Sequence, residues 1–308
     1  NVIKEYLRKY FLRKEALVIE QNIAAAVKGF VRGKELTASG QIDFKLQKDP
    51  TVKEHILLSG AEAVGLGALA GGCNFMAAYP MTPSTGVFTF LSQQAREFGA
   101  IVEQAEDEIS AINMALGAWY AGARAMVATA GGGFALMTEG VSLAGMLEMP
   151  VVIYVGQRPA PATGLPTRTE QGDLNLVVYA GHGEFPRIVL SPGNLEEAFF
   201  LTQKAFQLAD QFQVSVFILA DQYLADSFYN LAPFKLEETK PGKYFVQTQK
   251  DYQRYQLTES GVSPRGIPGF GEGFVMVDSD EHDENGHITE DLDLRVKMVD
   301  KRLYRHML

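Results

Sequence analysis

Short apolar segments alternate with segments of helical periodicity between Leu58 and residue 232. The apolar segments show no regular polar face, which is typical of parallel strands that are buried on both sides. Six such strands are predicted, at residues 74–79, 101–105, 123–130, 150–156, 187–190 and 214–220. This alternation therefore predicts an α/β fold with a doubly wound, mainly parallel six-stranded sheet.

The segments on either side of this domain lack the same alternation. Residues 1–57 contain a helical pattern at 6–31 and then a polar, turn-rich stretch, so we interpret them as a helical segment and a linker. The α/β domain itself is assigned to residues 58–232. Residues 233–308 are interpreted as a C-terminal extension, a linker and the start of a further domain, because this segment is too short for an independent core.

The C-terminal segment contains two further predicted elements. F-V-M-V at 274–277 is predicted as a strand and residues 291–307 as a helix, with a charged turn between them. The turn contains His282 and His287, but their spacing in a loop matches no strong metal signature, so we expect a solvated turn. No metal ligand is assigned to this chain.

Composition argues against several classes of protein. The formal net charge of −9 and the pI near 5.2 argue against a nucleic-acid-binding surface. No apolar run reaches the roughly 18 residues that a membrane-spanning helix needs, and no signal peptide is visible. Cys73 is the only cysteine, so the chain cannot form an internal disulfide or hold a four-thiolate cluster alone. A cytoplasmic location is expected.

Ligands of doubly wound sheets bind beyond the carboxyl ends of the strands. Four loops of this chain follow such ends, at residues 79–85, 106–108, 130–134 and 156–173. We therefore expect the functional site among these four loops.

The first loop, Y-P-M-T-P-S-T, contains two prolines and several hydroxyl side chains before a predicted helix. Its simplest explanation is a rigid turn in which Ser84 is the helix N-cap. Alternatively, Thr82 and the N–H groups at the start of the helix face a bound carboxylate. The sequence leaves both explanations open.

The second and third loops contain the acids at 106–108 and the glycines Gly131–Gly133. Acids at the start of a helix can simply complement its dipole, and at most one of the three is expected to be buried. The glycine turn can hold a ring or a phosphate, or it can merely permit a tight crossover. It matches neither G-x-G-x-x-G nor the P-loop, which argues against a dinucleotide or a nucleoside triphosphate.

The fourth loop is rich in proline, glycine and threonine and is not expected to form a helix. Arg158 directly follows a buried strand in this loop. A surface arginine needs no explanation, but one in a rigid loop next to other strand ends is suited to anchor a carboxylate.

These four segments together resemble the alpha subunit of 2-oxoacid:ferredoxin (acceptor) oxidoreductases, and the 2-oxoglutarate type in particular. The resemblance rests on Y-P-M-T-P-S-T, E-D-E, the turn at 129–134 and the Q-R to G-D-L segment at 157–174. It extends over about residues 58–308. Residues 1–31 also resemble the end of the gamma domain that some members carry in front.

The resemblance implies a thiamine diphosphate-binding fold of the pyrimidine type. The run from Glu108 to Gly117 resembles the glutamate helix of thiamine enzymes, which gives Glu108 the role of the catalytic acid. A carboxylate bonded to N1′ of the aminopyrimidine favours the imino tautomer, which promotes loss of the thiazolium C2 proton. The residues carried over as cofactor-binding are Pro80, Glu108, Gly131, Gly132, Gly133 and Phe134.

The implied activity is the CoA-dependent oxidative decarboxylation of a 2-oxoacid, with 2-oxoglutarate giving succinyl-CoA, CO2 and reduced ferredoxin. By the same resemblance, Thr82 and Arg158 contact the substrate carboxylate. Ala130–Gly133 stands where members commonly have S-G-P-G, which keeps the glycine flexibility.

Two absences imply a partner. The chain lacks the G-D-G motif with a distant Asn that thiamine enzymes use for Mg²⁺ and the diphosphate, and it lacks cluster cysteines. The resemblance therefore implies a beta subunit that carries the Mg²⁺, the diphosphate site and the [4Fe-4S] clusters, and an alpha subunit that is active only with it. A non-oxidative thiamine diphosphate-dependent decarboxylase or carboligase, and a non-catalytic α/β scaffold subunit, are the alternatives.

Overall fold

The computed structural model describes residues 1–44, 47, 49–235, 242 and 244–304, and the chain divides into two units, Asn1–Lys53 and Glu54–Leu308. The predicted linker at 32–57 and the predicted extension at 233–308 each include positions that lie outside the described residues. These positions are 45, 46, 48, 236–241, 243 and 305–308.

The first unit contains two helices, α1 (Val2–Tyr10) and α2 (Ala16–Ala38), and a 3₁₀ turn at Pro50–Val52. Neither helix has a buried residue. The sequence predicted one helix at 6–31. The structure has two helices instead, which begin earlier, end later and are separated by residues 11–15.

A local turn explains the break between α1 and α2. The Lys14 N–H donates to the Phe11 carbonyl at 2.8 Å, which closes the turn. The helix α2 then continues into the segment predicted as a linker, because Lys34, Glu35 and Leu36 are good helix formers that outweigh Gly33.

The second unit begins with strand β1 (Ile56–Ser59) and helix α3 (Gly60–Ala70). A capping box starts this helix: the Glu62 N–H donates to Ser59 Oγ at 3.2 Å, and the Ser59 N–H donates to Glu62 Oε2 at 2.7 Å.

The central sheet contains the six predicted strands: β2 (Phe75–Ala78), β3 (Ile101–Gln104), β4 (Ala125–Ala130), β5 (Val151–Gln157), β6 (Arg187–Leu190) and β7 (Ser215–Asp221). Their order across the sheet is β3-β2-β4-β5-β7-β6, and every neighbouring pair is parallel. The predicted fold is confirmed. Strand order reverses between β2 and β4, which is where sheets of this kind bind ligands.

The helices that connect these strands are α4 (Thr85–Phe98), α5 (Glu108–Tyr120), α6 (Gly131–Leu136), α7 (Thr138–Met146), α8 (Leu174–Tyr179), α9 (Leu195–Phe212) and α10 (Gln222–Asp226). The one helix predicted at 134–147 is two helices. Glycine has a low helix propensity, so Gly131–Gly133 suggested a turn, but they form the first turn of α6.

The core lies on both faces of the central strands. Every residue of β4 and β5 is buried, which explains why their sequences show no polar face. Trp119 on α5 is fully buried, and its indole N–H donates to the Ala125 carbonyl at 2.8 Å. This bond satisfies the one polar atom of the largest core side chain.

Four further elements complete the second unit: β8 (Phe228–Leu231), β9 (Phe245–Thr248), β10 (Arg265–Gly271) and α11 (Leu292–Tyr304). β8 pairs with β1 antiparallel, and β10 pairs with β9 in parallel. The strand predicted at 274–277 is wrong: these residues form no strand, and Phe274 is 90% exposed. β10 was not predicted because its glycines and proline argue against a strand.

Buried ion pairs hold the C-terminal segment on the α/β domain. Asp210 on α9 lies between Arg265, at 2.5 Å, and Arg124, at 2.8 Å. Lys301 on α11 pairs with Glu148 at 2.6 Å, and both side chains are buried. Residues that the sequence suggested as the start of a further domain thus belong to the same unit as the sheet.

The charged turn contains a buried histidine, which corrects the expectation of a solvated turn. His282 is fully buried, its ring centroid is 3.8 Å from that of Tyr255, and its Nδ1 is 2.8 Å from the Asp280 carbonyl. Burial lowers the pKa of His282. Within the described ranges, no cluster of three or more His, Cys, Asp or Glu is arranged to hold a metal ion.

Candidate active site

Four neighbouring strands end at the same edge of the central sheet. The order β3-β2-β4-β5 brings together the loop after β2, the residues before α5, the start of α6 and the loop after β5. These are the four segments that the sequence singled out, so the parallel sheet assembles them as expected.

Glu108 is the first residue of α5 and is the one buried acid of the three at 106–108. Asp107 is the N-cap, and its side chain accepts a hydrogen bond from the Ser110 N–H at 2.7 Å. Glu106 is exposed. Capping and solvation thus account for the other two acids, but not for Glu108.

Glu108 is 3% exposed, and its carboxyl Oε1 has no hydrogen-bond partner among the described residues. Burial raises the pKa of Glu108, and the nearby charge of Asp107 raises it further, although the backbone N–H of Glu108 has the opposite effect. A buried carboxyl oxygen without a partner is costly, and such groups are concentrated at functional sites.

The three glycines of α6, which we call the glycine segment (Gly131–Gly133), permit close approach of other residues. A Cβ atom added at Gly133 would collide with Glu108 Oε1 and Thr129 Oγ1. A Cβ atom at Gly131 would collide with both carboxyl oxygens of Asp173. At Gly132, the nearest contact would be an ordinary 3.7 Å from the Ala162 carbonyl oxygen.

Phe134 follows the glycine segment but lies in the hydrophobic core. Its side chain is fully buried, and its ring packs edge-to-face against Phe217 on β7, with the centroids 5.4 Å apart. Core packing therefore accounts for this side chain, which the sequence had grouped with the cofactor-binding residues.

Arg158 joins the loops after β2 and β5. Its Nη1 donates to the Thr82 carbonyl at 2.7 Å. A Cβ atom at Gly156 would collide with Pro83, so the end of β5 is in contact with the loop after β2, next to Arg158. The structure thus brings Thr82 and Arg158 together, and Thr82 is exposed.

The loop after β2 contains two further residues of interest. Ser84 occupies the N-cap position of α4, but its hydroxyl donates to the Met81 carbonyl at 2.6 Å and forms no capping bond, which corrects its predicted role. Pro80 is partly buried in the same loop.

Asp173 is a buried carboxyl group that sequence reasoning did not assign to the site. It is 6% exposed, and its Oδ2 has no hydrogen-bond partner among the residues that the structure describes. An Asp before a helix suggests an N-cap, but Asp173 makes no such bond with α8. Only the tertiary structure shows that it packs on Gly131.

Comparison with known families shows which family the chain belongs to. Residues 66–301 match the family described as pyruvate flavodoxin/ferredoxin oxidoreductase, thiamine diP-bdg, which denotes a thiamine diphosphate-binding domain. The chain belongs to this family. Its buried, unpaired Glu108 Oε1 and the glycine segment packed against it fit the aminopyrimidine of that cofactor, which needs a carboxyl partner and close backbone approach.

Curated members of the family are similar over most of this chain. It is 39% identical over 276 residues to 2-oxoacid:ferredoxin oxidoreductase 1, subunit alpha, of Sulfurisphaera tokodaii, covering 84% of this chain and 44% of that relative. It is 37% identical over 212 residues to 2-oxoglutarate synthase subunit KorA of Archaeoglobus fulgidus, covering 69% of this chain and 61% of that relative. The chain thus spans less than half of the first relative's length and less than two thirds of the second's.

A solved structure shares the fold. It is the 2-oxoglutarate:ferredoxin oxidoreductase of Magnetococcus marinus, with 2-oxoglutarate, coenzyme A and succinyl-CoA bound. The TM-score is 0.85 at 37% identity, over 99% of this chain and 53% of that one. In the described part of the present chain, no helix is long and apolar enough to cross a membrane.

Proposed function

We propose that this chain forms the pyrimidine-binding part of the alpha subunit of a CoA-dependent 2-oxoacid:ferredoxin oxidoreductase, with 2-oxoglutarate as its substrate. The observation that carries the proposal is the buried Glu108 carboxyl group with its unpaired Oε1 against Gly133. The names of the relatives and the ligands of the Magnetococcus marinus enzyme support the substrate.

In this proposal, Glu108 holds the aminopyrimidine of thiamine diphosphate. The cofactor, when bound, supplies the electron sink that decarboxylation of a 2-oxoacid requires. Glu108 bonds to the ring nitrogen through the carboxyl oxygen that faces it. Burial raises the pKa of this carboxyl group, which favours a proton shared between that oxygen and the ring. Gly131–Gly133 provide close backbone approach, and Pro80 shapes the loop beside them.

Arg158 and Thr82 orient the substrate. Only one guanidinium nitrogen of Arg158 is engaged within the described residues, in its bond to the Thr82 carbonyl, so the others can bind a carboxylate. Thr82 is exposed at the same place and offers its hydroxyl. The pair therefore suits the anionic end of a 2-oxoacid.

A partner subunit supplies the remaining groups in this proposal, namely the Mg²⁺ and diphosphate site and the [4Fe-4S] clusters that reduce ferredoxin. Cys73 is not suited to hold a cluster, because it is buried, its thiol donates to the Phe75 carbonyl at 3.4 Å, and burial raises its pKa to about 12. The names of the relatives as alpha subunits agree with a multi-subunit enzyme.

The test is reconstitution with the beta subunit, followed by a substrate panel of 2-oxoglutarate, pyruvate and branched-chain 2-oxoacids. We expect a brown complex that reduces ferredoxin in a CoA-dependent manner with 2-oxoglutarate. A colourless chain that binds thiamine diphosphate unaided would instead indicate a non-oxidative decarboxylase or carboligase. A chain that binds neither partner nor cofactor would indicate a scaffold subunit. The family match disfavours both of these alternatives.

A further inference from the structure

Asp173 is a buried carboxyl group that the fold itself does not use. It occupies the N-cap position of α8 without forming a capping bond. Its backbone N–H donates to Gln157 Oε1 at 3.0 Å, which fixes the residue next to the end of β5. Its side chain remains without a hydrogen bond at Oδ2, among the residues that the structure describes. Burying such an oxygen is unfavourable unless a ligand completes its bonding.

The Asp173 carboxyl group faces the same glycine segment as Glu108. Its two oxygens occupy the space of a Cβ atom at Gly131, as Glu108 Oε1 does at Gly133. Two acids from different elements, α5 and the loop after β5, therefore contact the same turn of α6 from opposite sides, because side chains two positions apart on a helix point in nearly opposite directions. Both acids leave one carboxyl oxygen unpaired.

The charge of Arg158 affects the pKa of Asp173, although the two side chains form no ion pair. Burial raises the pKa of Asp173 most strongly, the charge of Glu170 raises it further, and the charge of Arg158 lowers it. No ion pair between Arg158 and Asp173 occurs in the described part of the chain. The positive charge of Arg158 thus stays available for a ligand, and Asp173 is the second polar group near that charge.

We infer that Asp173 is a second ligand-contacting carboxyl group of this site, and that its Oδ2 donates a hydrogen bond to an oxygen of the 2-oxoacid that Arg158 holds. This inference rests on the proposed function. A neutral carboxylic acid can donate to an anionic substrate, whereas a carboxylate only accepts hydrogen bonds and would repel it. The buried surroundings of Asp173 favour the neutral form.

The test compares Asp173→Asn with Asp173→Leu in the complex reconstituted with its beta subunit. Asn keeps a donor at nearly the same place, and Leu keeps the volume but removes all hydrogen bonding. The readouts are KM and kcat for 2-oxoglutarate, the equilibrium dissociation constant of 2-oxoglutarate from the cofactor-free complex by calorimetry, and the melting temperature.

For Asp173→Leu, we expect KM and the dissociation constant to rise about tenfold or more, because a hydrogen bond to a charged group is lost. For Asp173→Asn, we expect both constants to stay within about threefold of wild type. The KM of wild type should rise as the pH rises through the pKa of Asp173, and the KM of Asp173→Asn should not follow. The charges of Arg158 and Glu170 act on Asp173, and Gln157 accepts a hydrogen bond from its backbone N–H. All three residues are unchanged in both variants.

A folded Asp173→Leu with wild-type constants would overturn the inference, as would an Asp173→Asn that is impaired as strongly as Asp173→Leu. If Asp173→Leu fails to fold, the pH comparison between wild type and Asp173→Asn decides, and identical profiles would refute the donor role. Wild-type complex that turns over no 2-oxoacid would refute the proposed function itself and this inference with it. Failure of the proposed function can be told apart from failure of the inference on Asp173, because the activity of the wild-type complex is measured before any variant is made.

Discussion

Glu108 Oε1 lies against the Cα of Gly133, in the space that any larger residue at position 133 would need for its side chain. This contact joins the start of α5, which follows β3, to the start of α6, which follows β4. The two strands are separated by β2 in the sheet, so the site depends on the register of three strands. A change on one side of this contact should therefore affect the other.

Gly133→Ala should destabilise the protein, because its Cβ atom would displace Glu108 and Thr129, both buried. Overpacking of this kind costs about 1–3 kcal/mol, which thermal or denaturant unfolding can measure. The matched control is Gly132→Ala in the same turn, where the Cβ atom has room. Its unfolding free energy should change by less than about 1 kcal/mol. Equal effects of the two substitutions would contradict the contact.

Glu108→Gln should abolish 2-oxoacid-dependent reduction of the acceptor while the complex still assembles. Removal of a general acid or base lowers rates by roughly 10²–10⁴. The control is Glu106→Gln, an exposed neighbour that should retain full activity. Near-normal turnover of Glu108→Gln in a stopped-flow or steady-state assay would refute the role of Glu108.

The same substitution has a predictable effect on stability. Because burial raises the pKa of Glu108, its favourable contribution to folding is complete below the unfolded-state pKa of about 4.3 and is lost as the pH rises through the folded-state pKa. A glutamine does not ionise, so Glu108→Gln does not lose folding stability in this way as the pH rises. The variant should therefore gain stability relative to wild type as the pH rises from about 4 towards 8, measured by melting temperature. A constant difference across this range would contradict the raised pKa.

Arg158→Ala should chiefly raise KM for the 2-oxoacid, because a charge-assisted carboxylate contact is lost. A loss of about 1.5–3 kcal/mol corresponds to roughly 10–100-fold in KM. The control is Arg168→Ala in the same loop, since Arg168 is exposed and, among the described residues, its side chain bonds to the neighbouring Thr167 alone. If steady-state kinetics show the same KM for wild type and Arg158→Ala, Arg158 lies outside the substrate site.

Asp210→Asn should destabilise the second unit by about 3–5 kcal/mol, because Arg265 and Arg124 would lose their shared carboxylate partner in a buried position. Chemical denaturation of the chain measures the loss. Arg295→Gln is the control: Arg295 is about half exposed and shares Glu281 with Arg302, so its removal should cost less than about 1 kcal/mol. Similar losses of unfolding free energy in both variants would show that burial does not determine how much these ion pairs contribute to stability.

Much of the fold followed from local pattern. Strands β4 and β5 were predicted because each is an apolar run that is buried on both faces, whereas β3, at the edge of the sheet, is largely exposed. The C-terminal segment was predicted less well. β10 contains residues that disfavour strands, and it forms only because Phe245 and Val246 of β9 lie opposite it. His282 is buried by Tyr255, which lies 27 positions earlier, so its local sequence suggested solvent.

The sequence by itself determined the parallel sheet, the four loops at its edge and the choice of Glu108, because these depend on periodicity and on short motifs within one segment. Only the tertiary structure decided that Asp173 joins Glu108 at the glycine segment, that Phe134 faces the core, and that Ser84 does not cap its helix. The physical reason is that burial and hydrogen bonding of a side chain depend on residues distant in the chain. Strand order brings these residues together, and no local pattern records it.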